Sequence, residues 1–211
     1  MTDQRLPDSL RLLHLGDSYT CSEGMDPDLG WPALVAGTMR ACGHDVAEQR
    51  IIARTGWTTG ELLQAICEGD PGTGWDLVTL CIGVNNQYRG LPVESFGEEL
   101  KELIDRARDA ASGRWPGVHL LTIPDWGVAP FARNRDRQAI AGRIDAFTEL
   151  IWAAGRKYVL PVHDLTTLSR RFGDRDDAFA PDGLHPSASQ HQSWAEYLAG
   201  RILGHQKETS H

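Results

Sequence analysis

Positive charge is scarce in this sequence of 211 residues. Its 21 lysine and arginine residues are outnumbered by 29 aspartate and glutamate residues, which gives a formal net charge of −8 at pH 7. No dense run of lysine and arginine interrupts this acidic balance. Because an acidic surface repels polyanions, long-range attraction to nucleic acid or to anionic lipid is disfavoured, and we expect no nucleic-acid partner.

Long apolar runs are also missing. The first eight residues lack the basic start and apolar centre of a signal peptide. No later stretch approaches the roughly 20 apolar residues that a membrane-spanning helix needs. We therefore expect a cytoplasmic protein without integral membrane association.

Cysteine is sparse and scattered. The four cysteines, Cys21, Cys42, Cys67 and Cys81, show no paired Cys-x-x-Cys spacing. The sequence therefore predicts neither a zinc site nor a disulfide framework, and we expect free thiols that are mostly buried. Cys81 lies in an apolar run typical of a core, whereas Cys21 lies near Ser18 and is a weak candidate for a chemical role.

Short apolar runs alternate with segments of helical period along most of the chain, which predicts an α/β fold with a mainly parallel sheet. The length suits one domain, with a core from about residue 10 to 203 and a loose polar tail over 204–211. The predicted strands are Leu10–Leu15, Val46–Ala53, Leu77–Ile82, Val118–Ile123 and Tyr158–Val162. Helices are predicted over 96–111 and 140–154, from near Pro32, after the capping-box pair Thr58 and Glu61, and after Pro186.

Four short polar motifs each follow the end of a different predicted strand. In open α/β sheets, ligands bind at the edge formed by the carboxyl ends of the strands, so these motifs are expected to share one crevice. Each alone is an ordinary turn, and their coincidence is what indicates a site. The motifs are Gly16-Asp17-Ser18, Thr55-Gly56-Trp57, Gly83-Val84-Asn85-Asn86 and Pro124-Asp125-Trp126.

A serine, an acid and a histidine are placed for nucleophilic catalysis. Ser18 follows the first strand and is a weak nucleophile until a base takes its proton, although it could also simply cap a helix. Asp182 precedes His185 by three residues in a loop rich in proline and glycine. Asp182 can hold one imidazole nitrogen while the other faces Ser18, as in a Ser-His-Asp triad.

Other histidines have simpler interpretations. His14 lies inside the first strand and is predicted to be a core histidine with its hydrogen bonds satisfied. His163 and Asp164 form a rival acid-base pair at the end of the fifth predicted strand. No cysteine or carboxylate cluster completes a metal site with His185 and His191, so no metal is expected.

Taken in order, the motifs resemble the sequence blocks of the SGNH hydrolases, the GDSL-type lipase/acylhydrolase superfamily. The resemblance spans about residues 10 to 200 and implies a three-layer α/β/α sandwich of flavodoxin-like type, with a five-stranded parallel sheet and no metal or organic cofactor. The matching blocks are Gly16-Asp17-Ser18-Tyr19-Thr20, Gly56, Gly83-Val84-Asn85 and Asp182-Gly183-Leu184-His185.

The resemblance also implies a role for each residue. Ser18 attacks the acyl carbonyl, His185 acts as general base and then acid, and Asp182 orients the imidazole. The backbone N–H groups of Ser18 and Gly56 and the side-chain amide of Asn85 form an oxyanion hole. Three such donors stabilise the developing negative oxygen more than the neutral ester.

Residues beside these blocks are candidates for substrate contact. Trp57, Tyr88 and Trp126 could line an acyl or sugar pocket or be partly buried against the sheet. Asp125 could bind a substrate hydroxyl or cap a turn. Asn86 stands where the family usually has aspartate, a change that removes a charge but keeps hydrogen bonding and is expected to leave catalysis intact.

The sequence thus predicts a hydrolase of small soluble carboxylic esters, with a small-molecule ester as its only expected partner and its oligomeric state open. Carbohydrate acetylesterase, lysophospholipase and thioesterase activities are alternatives within the same family. A binding module for small ligands with an idle triad is a further alternative. Nucleotide binding is disfavoured because neither a Walker motif nor a Gly-x-Gly-x-x-Gly fingerprint is present.

Overall fold

The computed structural model describes residues 9–112, 117–173 and 175–208. Five strands form one parallel sheet in the order β2-β1-β3-β4-β5: β1 (Ser9–Gly16), β2 (Asp45–Ala53), β3 (Leu77–Cys81), β4 (Val118–Leu121) and β5 (Val162–His163). The helices are α1 (Ser18–Cys21), α2 (Trp31–Ala41), α3 (Thr59–Gly69), α4 (Val84–Tyr88), α5 (Val93–Ala110), α6 (Arg137–Tyr158), α7 (Leu165–Arg170) and α8 (Ala188–Glu208). The predicted α/β fold with a five-stranded parallel sheet is confirmed.

The strand order determines which helices share a face of the sheet. The chain moves from β1 to β2 in one direction, then reverses and adds β3, β4 and β5 on the other side of β1. Because parallel crossovers are right-handed, the reversal puts α2 on one face and α3, α5 and α6 on the opposite face. Helix packing agrees, since α2 contacts α8 while α5 contacts both α3 and α6. The reversal leaves a switch point between β1 and β3, where ligands bind in such sheets.

The core lies on both sides of the three inner strands. β3 and β4 are buried at every position, and β1 is buried from Leu12 to Gly16. On α5 the apolar face predicted from periodicity is buried, and Phe96 packs against Phe147 of α6 with ring centroids 4.8 Å apart. This packing fixes the inner strands and therefore the loops that leave their carboxyl ends.

The fifth strand begins at Val162, the last residue of its predicted range, Tyr158–Val162. Helix α6 continues to Tyr158, and Val159 ends it in a left-handed conformation with φ of 54°. The amide of Leu160 still donates to the Gly155 carbonyl, so sheet pairing starts only where the Pro161 carbonyl accepts from Leu120. The apolar run from Tyr158 to Val162 therefore contains both the end of α6 and the start of β5. Hydrophobic periodicity alone does not locate the boundary between the two elements.

Two further predictions are wrong. The segment from Gly204 is not a loose tail over its described part, because α8 extends to Glu208 and the residues after Gly204 include good helix formers. The cysteines are not mostly buried: Cys81 is buried and Cys21 half-buried, but Cys42 and Cys67 are exposed.

Among the described helices, none is long and apolar enough to cross a membrane.

Candidate active site

The turn after β1 presents Ser18 at the switch point. Asp17 caps α1 by accepting a hydrogen bond from the Tyr19 amide at 3.1 Å, so Ser18 is the first helical residue and the interpretation of Ser18 as the cap is wrong. No preceding helical carbonyl is available to the Ser18 N–H. Gly16 is required because a Cβ there would lie 2.5 Å from the Cys81 carbonyl oxygen of β3. Ser18 is only 5% exposed, so little of the residue is open to solvent.

Asp17 is buried beside the candidate nucleophile. Burial penalises its charged form and raises its pKa to about 7, although the hydrogen bond from the Tyr19 amide acts in the opposite direction. The carboxyl group therefore changes its charge near neutral pH next to Ser18.

The loop before α8 holds the second half of the site. Asp182 Oδ2 lies 2.6 Å from His185 Nδ1, while Asp182 Oδ1 accepts from the amides of Leu184 and His185 at 2.9 and 3.0 Å. Burial acts to raise the pKa of Asp182, but these hydrogen bonds outweigh it and lower the pKa. The loop is closed by a hydrogen bond of 2.7 Å from the Ala180 amide to the His185 carbonyl. The acid and the histidine thus form one preorganised unit.

Tyr19 brings this loop against the Ser18 turn. Its ring centroid lies 6.2 Å from that of His185 and 5.9 Å from that of Trp194 on α8. Its carbonyl oxygen accepts from Trp31 Nε1 at 2.9 Å. Within the described ranges no hydrogen bond joins Ser18 Oγ to His185, so the histidine's second nitrogen, Nε2, is not engaged by the serine.

The further candidate oxyanion donors come from the loop after β2 and from helix α4. Gly56 has φ of 85°, a conformation that favours glycine, and no described backbone carbonyl accepts from its N–H. Asn85 Nδ2 donates to the Trp57 carbonyl at 2.9 Å, and Arg89, the residue that caps the carboxyl end of α4, donates to the Gly56 carbonyl. Arg89 also pairs with Glu61 at 3.3 Å. Helix α4 therefore fixes the loop that carries Gly56.

Asn86 is buried and forms two hydrogen bonds with Thr59. Its Oδ1 accepts from the Thr59 amide at 3.0 Å, and its Nδ2 donates to Thr59 Oγ1 at 2.6 Å. Thr59 Oγ1 in turn donates to the Glu99 carboxylate. An asparagine suits this position because it both accepts and donates, whereas an ionised aspartate only accepts. Substrate contact by Asn86 remains a prediction.

Asp125 is buried and caps a 3-10 turn, as one interpretation of the sequence predicted. Its carboxylate accepts from the Gly127 amide at 2.8 Å and from Arg170 Nε at 2.7 Å. The neighbouring Trp126 is also buried and donates through Nε1 to Gln87 Oε1 at 2.7 Å. Substrate contacts by Asp125 and Trp126 stay predictions.

The two remaining aromatic candidates differ in accessibility. Tyr88 is 47% exposed and packs edge-on against Trp126 with centroids 5.3 Å apart. Trp57 is half-buried against the core, and its described contribution to the site is its carbonyl group. Tyr88 is therefore the aromatic side chain of this set that is most available to a substrate.

Sequence reasoning missed Arg89 and Arg170. Arg89 could have been found, because it lies four residues after Asn85 and so on the same side of a helix. Arg170 pairs with Asp125 across 45 residues, and no local pattern signals such a contact.

The buried histidines outside the candidate triad have structural contacts. His14 is buried, with Nδ1 2.8 Å from Thr79 Oγ1, which confirms the predicted core role. His163 Nε2 lies 2.8 Å from His119 Nδ1 in a buried stacked pair, and Asp164 caps α7. His191 Nδ1 accepts from the Trp31 amide. In the part of the chain that the structure describes, no group of three or more potential metal ligands is found.

Comparison with known proteins gives one family. Residues 14–193 match the model of the GDSL-like lipase/acylhydrolase family. A search of the curated proteins found no match. The lipase/acylhydrolase from Enterococcus faecalis is similar in structure, with a TM-score of 0.71 and 25% sequence identity over 93% of this chain and 96% of that chain.

Two more distant structures share the fold. The esterase EstA from Pseudoalteromonas sp., in a structure inhibited by monoethylphosphonate, has a TM-score of 0.70 at 18% identity, over 95% of this chain and all (100%) of that one. The acetyl xylan esterase AlAXEase has a TM-score of 0.73 at 16% identity, over 92% of this chain and 100% of that one. At these identities the likeness concerns the fold alone.

Proposed function

Because the chain belongs to the GDSL-like lipase/acylhydrolase family, we propose that it cleaves small soluble carboxylic esters through an acyl-enzyme formed on Ser18. The observation that carries the proposal is the 2.6 Å contact between Asp182 Oδ2 and His185 Nδ1. This contact holds the neutral imidazole with its proton on Nδ1 and leaves Nε2 as the proton acceptor. The Tyr19 ring, next in sequence to Ser18, packs near His185 and supports a shared crevice.

Acylation requires the proton of Ser18 to move as the new bond forms. Ser18 Oγ attacks the ester carbonyl carbon, and His185 Nε2 takes the hydroxyl proton. When the tetrahedral intermediate collapses, the bond to the alcohol oxygen breaks and the alcohol leaves with the proton from His185. Catalytic hydrogen bonds are often long before substrate binds, so a Ser18–His185 bond is expected to form in the complex.

Deacylation repeats the sequence with water. His185 takes a proton from a water molecule, whose oxygen attacks the acyl carbon, and the carboxylic acid is released as Ser18 regains its proton. In both steps the carbonyl oxygen becomes negative. The N–H groups of Ser18 and Gly56 and the remaining amide hydrogen of Asn85 are the proposed donors to it.

The test is labelling with a fluorophosphonate, which phosphonylates an activated serine. Wild type should be labelled and should hydrolyse 4-nitrophenyl acetate and butyrate. Ser18→Ala should abolish labelling and reduce kcat by at least about 1000-fold, because the nucleophile is absent. Ser95→Ala is a matched control, since this serine lies on α5 and donates to the Pro92 carbonyl, away from the proposed triad. Full esterase activity in Ser18→Ala would exclude the proposal.

Chain length of the acyl group tests the proposed substrate size. A preference for acetyl and butyryl over octanoyl and longer esters is expected. Activity concentrated on long-chain acyl esters would instead favour a lysophospholipase or thioesterase. The cytoplasmic location and the single-domain organisation stay predictions from the sequence.

A further inference from the structure

Three aromatic rings form a platform beside the candidate active site, under the side chain of Arg135. The Arg135 guanidinium carbon lies 4.8 Å from the ring centroid of Phe131, 5.4 Å from that of Trp126 and 5.7 Å from that of Tyr88. Phe131 is 40% exposed, so the platform opens to solvent at its rim. Attraction between the cation and the π-systems of these rings holds the Arg135 side chain beside them.

The platform adjoins both halves of the candidate site. Tyr88 lies three residues after Asn85 on α4, so the two side chains share a side of that helix. At its other end, the Phe131 amide donates at 2.9 Å to the carbonyl of Gly183, which lies two residues before His185. The platform therefore connects the helix of the candidate oxyanion donor with the loop of the candidate base.

The platform is held in place from beneath. Trp126 Nε1 donates to Gln87 Oε1, and the turn that carries Trp126 is capped by Asp125. Arg170 pairs with Asp125 at 2.7 Å and with Asp145 at 2.8 Å. A rigid support of this kind keeps a recognition side chain in one position before substrate binds.

Arg135 carries an uncompensated charge. No described acidic side chain forms an ion pair with it, whereas Arg170 pairs with two aspartates and Arg11 pairs with Glu48 at 2.8 Å. In a chain with a net charge of −8, acidic partners are abundant. An exposed guanidinium that is held beside aromatic rings near the candidate site, and has no acidic partner among the described residues, is suited to bind an anion on a ligand.

We propose that the natural substrate is an ester that carries a carboxylate or phosphate group, which Arg135 binds above the Tyr88–Trp126–Phe131 platform. This inference rests on the proposed ester hydrolysis at Ser18 and adds the class of substrate. A planar guanidinium binds either anion through two parallel N–H donors, so it recognises the charge and its geometry together. The anion belongs either to the acyl part or to the alcohol part of the ester, and the two arms of the test distinguish these cases.

The first arm compares 4-nitrophenyl hemisuccinate, whose acyl part is anionic, with neutral 4-nitrophenyl butyrate. The second arm compares 4-acetoxybenzoate, whose leaving alcohol is anionic, with neutral 4-acetoxybenzamide. In at least one arm, Arg135→Gln should reduce kcat/KM for the anionic ester by about 10-fold or more, mainly through KM, and change the neutral ester less than about 2-fold. Arg135→Lys should retain part of the preference, because it keeps the charge but loses the planar pair of donors.

Arg201→Gln is the matched control, since it removes the same charge at an exposed position. Arg201 lies on α8, about 20 Å from the first residue of that helix, which follows the His185 loop. It should leave both ratios unchanged. Salt provides a test on wild type alone: added NaCl should lower kcat/KM for the anionic ester of the responding arm and not for its neutral partner.

The outcomes separate this inference from the proposed function. Hydrolysis of neutral esters through Ser18 with no selective loss in Arg135→Gln would overturn the anion site alone. Equal losses for anionic and neutral esters would also overturn it, because they would show a structural role for Arg135. Absence of any hydrolysis that depends on Ser18 would overturn both.

Discussion

The guanidinium of Arg89 donates a hydrogen bond to the carbonyl oxygen of Gly56, the residue whose N–H is a proposed oxyanion donor. The bond orients the peptide that follows Gly56, and Asn85 Nδ2 fixes the next carbonyl, that of Trp57. One side chain of the short helix α4 and one from its carboxyl cap therefore set the direction of a loop that has little regular structure of its own.

Replacement of Arg89 by methionine should lower kcat by about 10-fold while KM changes little. Loss of one oxyanion donor lowers kcat by roughly 100- to 1000-fold. The smaller effect is expected here because the Gly56 N–H would be misdirected and not removed. Arg89→Lys should recover part of kcat. Arg106→Met is the control, because Arg106 is an exposed arginine of α5 that pairs only with Glu102 among the described groups. A rise in KM at constant kcat would show that Arg89 binds substrate instead.

Asn86→Asp should reduce the free energy of unfolding by about 1 to 3 kcal/mol at pH 7, because a buried donor is lost and a buried charge is added. Thr59 Oγ1 would then face two carboxylates, at positions 86 and 99, with one proton to donate. Urea unfolding measures the change.

A second substitution tests the direction of these hydrogen bonds. In Asn86→Asp with Glu99→Gln, the new glutamine can donate to Thr59 and Thr59 can donate to the new aspartate, so most of the lost stability should return. Asn134→Asp, at an exposed position, should have little effect. If the double variant loses as much unfolding free energy as its two single variants together, the hydrogen bonds among positions 86, 59 and 99 are not the cause of the instability.

Asp17→Asn should stabilise the protein increasingly as pH rises. Burial raises the folded-state pKa of Asp17 to about 7 from 3.8, so the folded state keeps a proton that the unfolded state loses. The contribution of Asp17 to the free energy of unfolding is fully present below pH 3.8. It is lost as pH rises from 3.8 to 7, at up to about 1.4 kcal/mol per pH unit.

Asparagine at position 17 keeps the acceptor for the Tyr19 amide and cannot ionise. The difference in unfolding free energy between Asp17→Asn and wild type should therefore grow from pH 4 to 7 and then level off. Urea unfolding at four pH values measures it, with the exposed Asp105→Asn as control. A difference independent of pH would contradict the raised pKa.

Val159→Gly should stabilise the protein by about 1 kcal/mol without changing kcat. Val159 ends α6 with φ of 54° and ψ of 50°, a left-handed conformation that is costly for a β-branched side chain and free for glycine. The side chain is 69% exposed, so little packing is lost. Thermal unfolding measures the gain, and a lower melting temperature would mean that the valine makes contacts that outweigh its backbone strain.

Local signals account for the parts of the structure that the sequence predicted. The Ser18 turn follows a buried strand, and Asp182 and His185 lie within four residues, so each half of the candidate site could be recognised in a short window. The sheet followed from alternation of apolar runs and helical faces. These features depend on neighbours in sequence.

The remaining features depend on contacts between distant segments. The pairing of Asp125 with Arg170, the cation above three rings and the bonds of Asn86 to Thr59 all join separate elements, and no short window contains them. The start of β5 was misplaced for another reason. The apolar run Tyr158 to Leu160 is compatible with the end of a helix and with a strand. The left-handed conformation of Val159 is what ends the helix there.

The central position of β1 has a consequence for how the molecule loses activity. β1 pairs with neighbours on both sides, so the segment before Ser18 should open to hydrogen exchange only on global unfolding. The loop of Asp182 and His185 is instead held by a few bonds near the surface and can open alone. Mild heating or a low concentration of urea should therefore displace His185 while the Ser18 turn stays folded. Loss of activity should then occur before the cooperative unfolding of the sheet, and activity should return without refolding of the sheet.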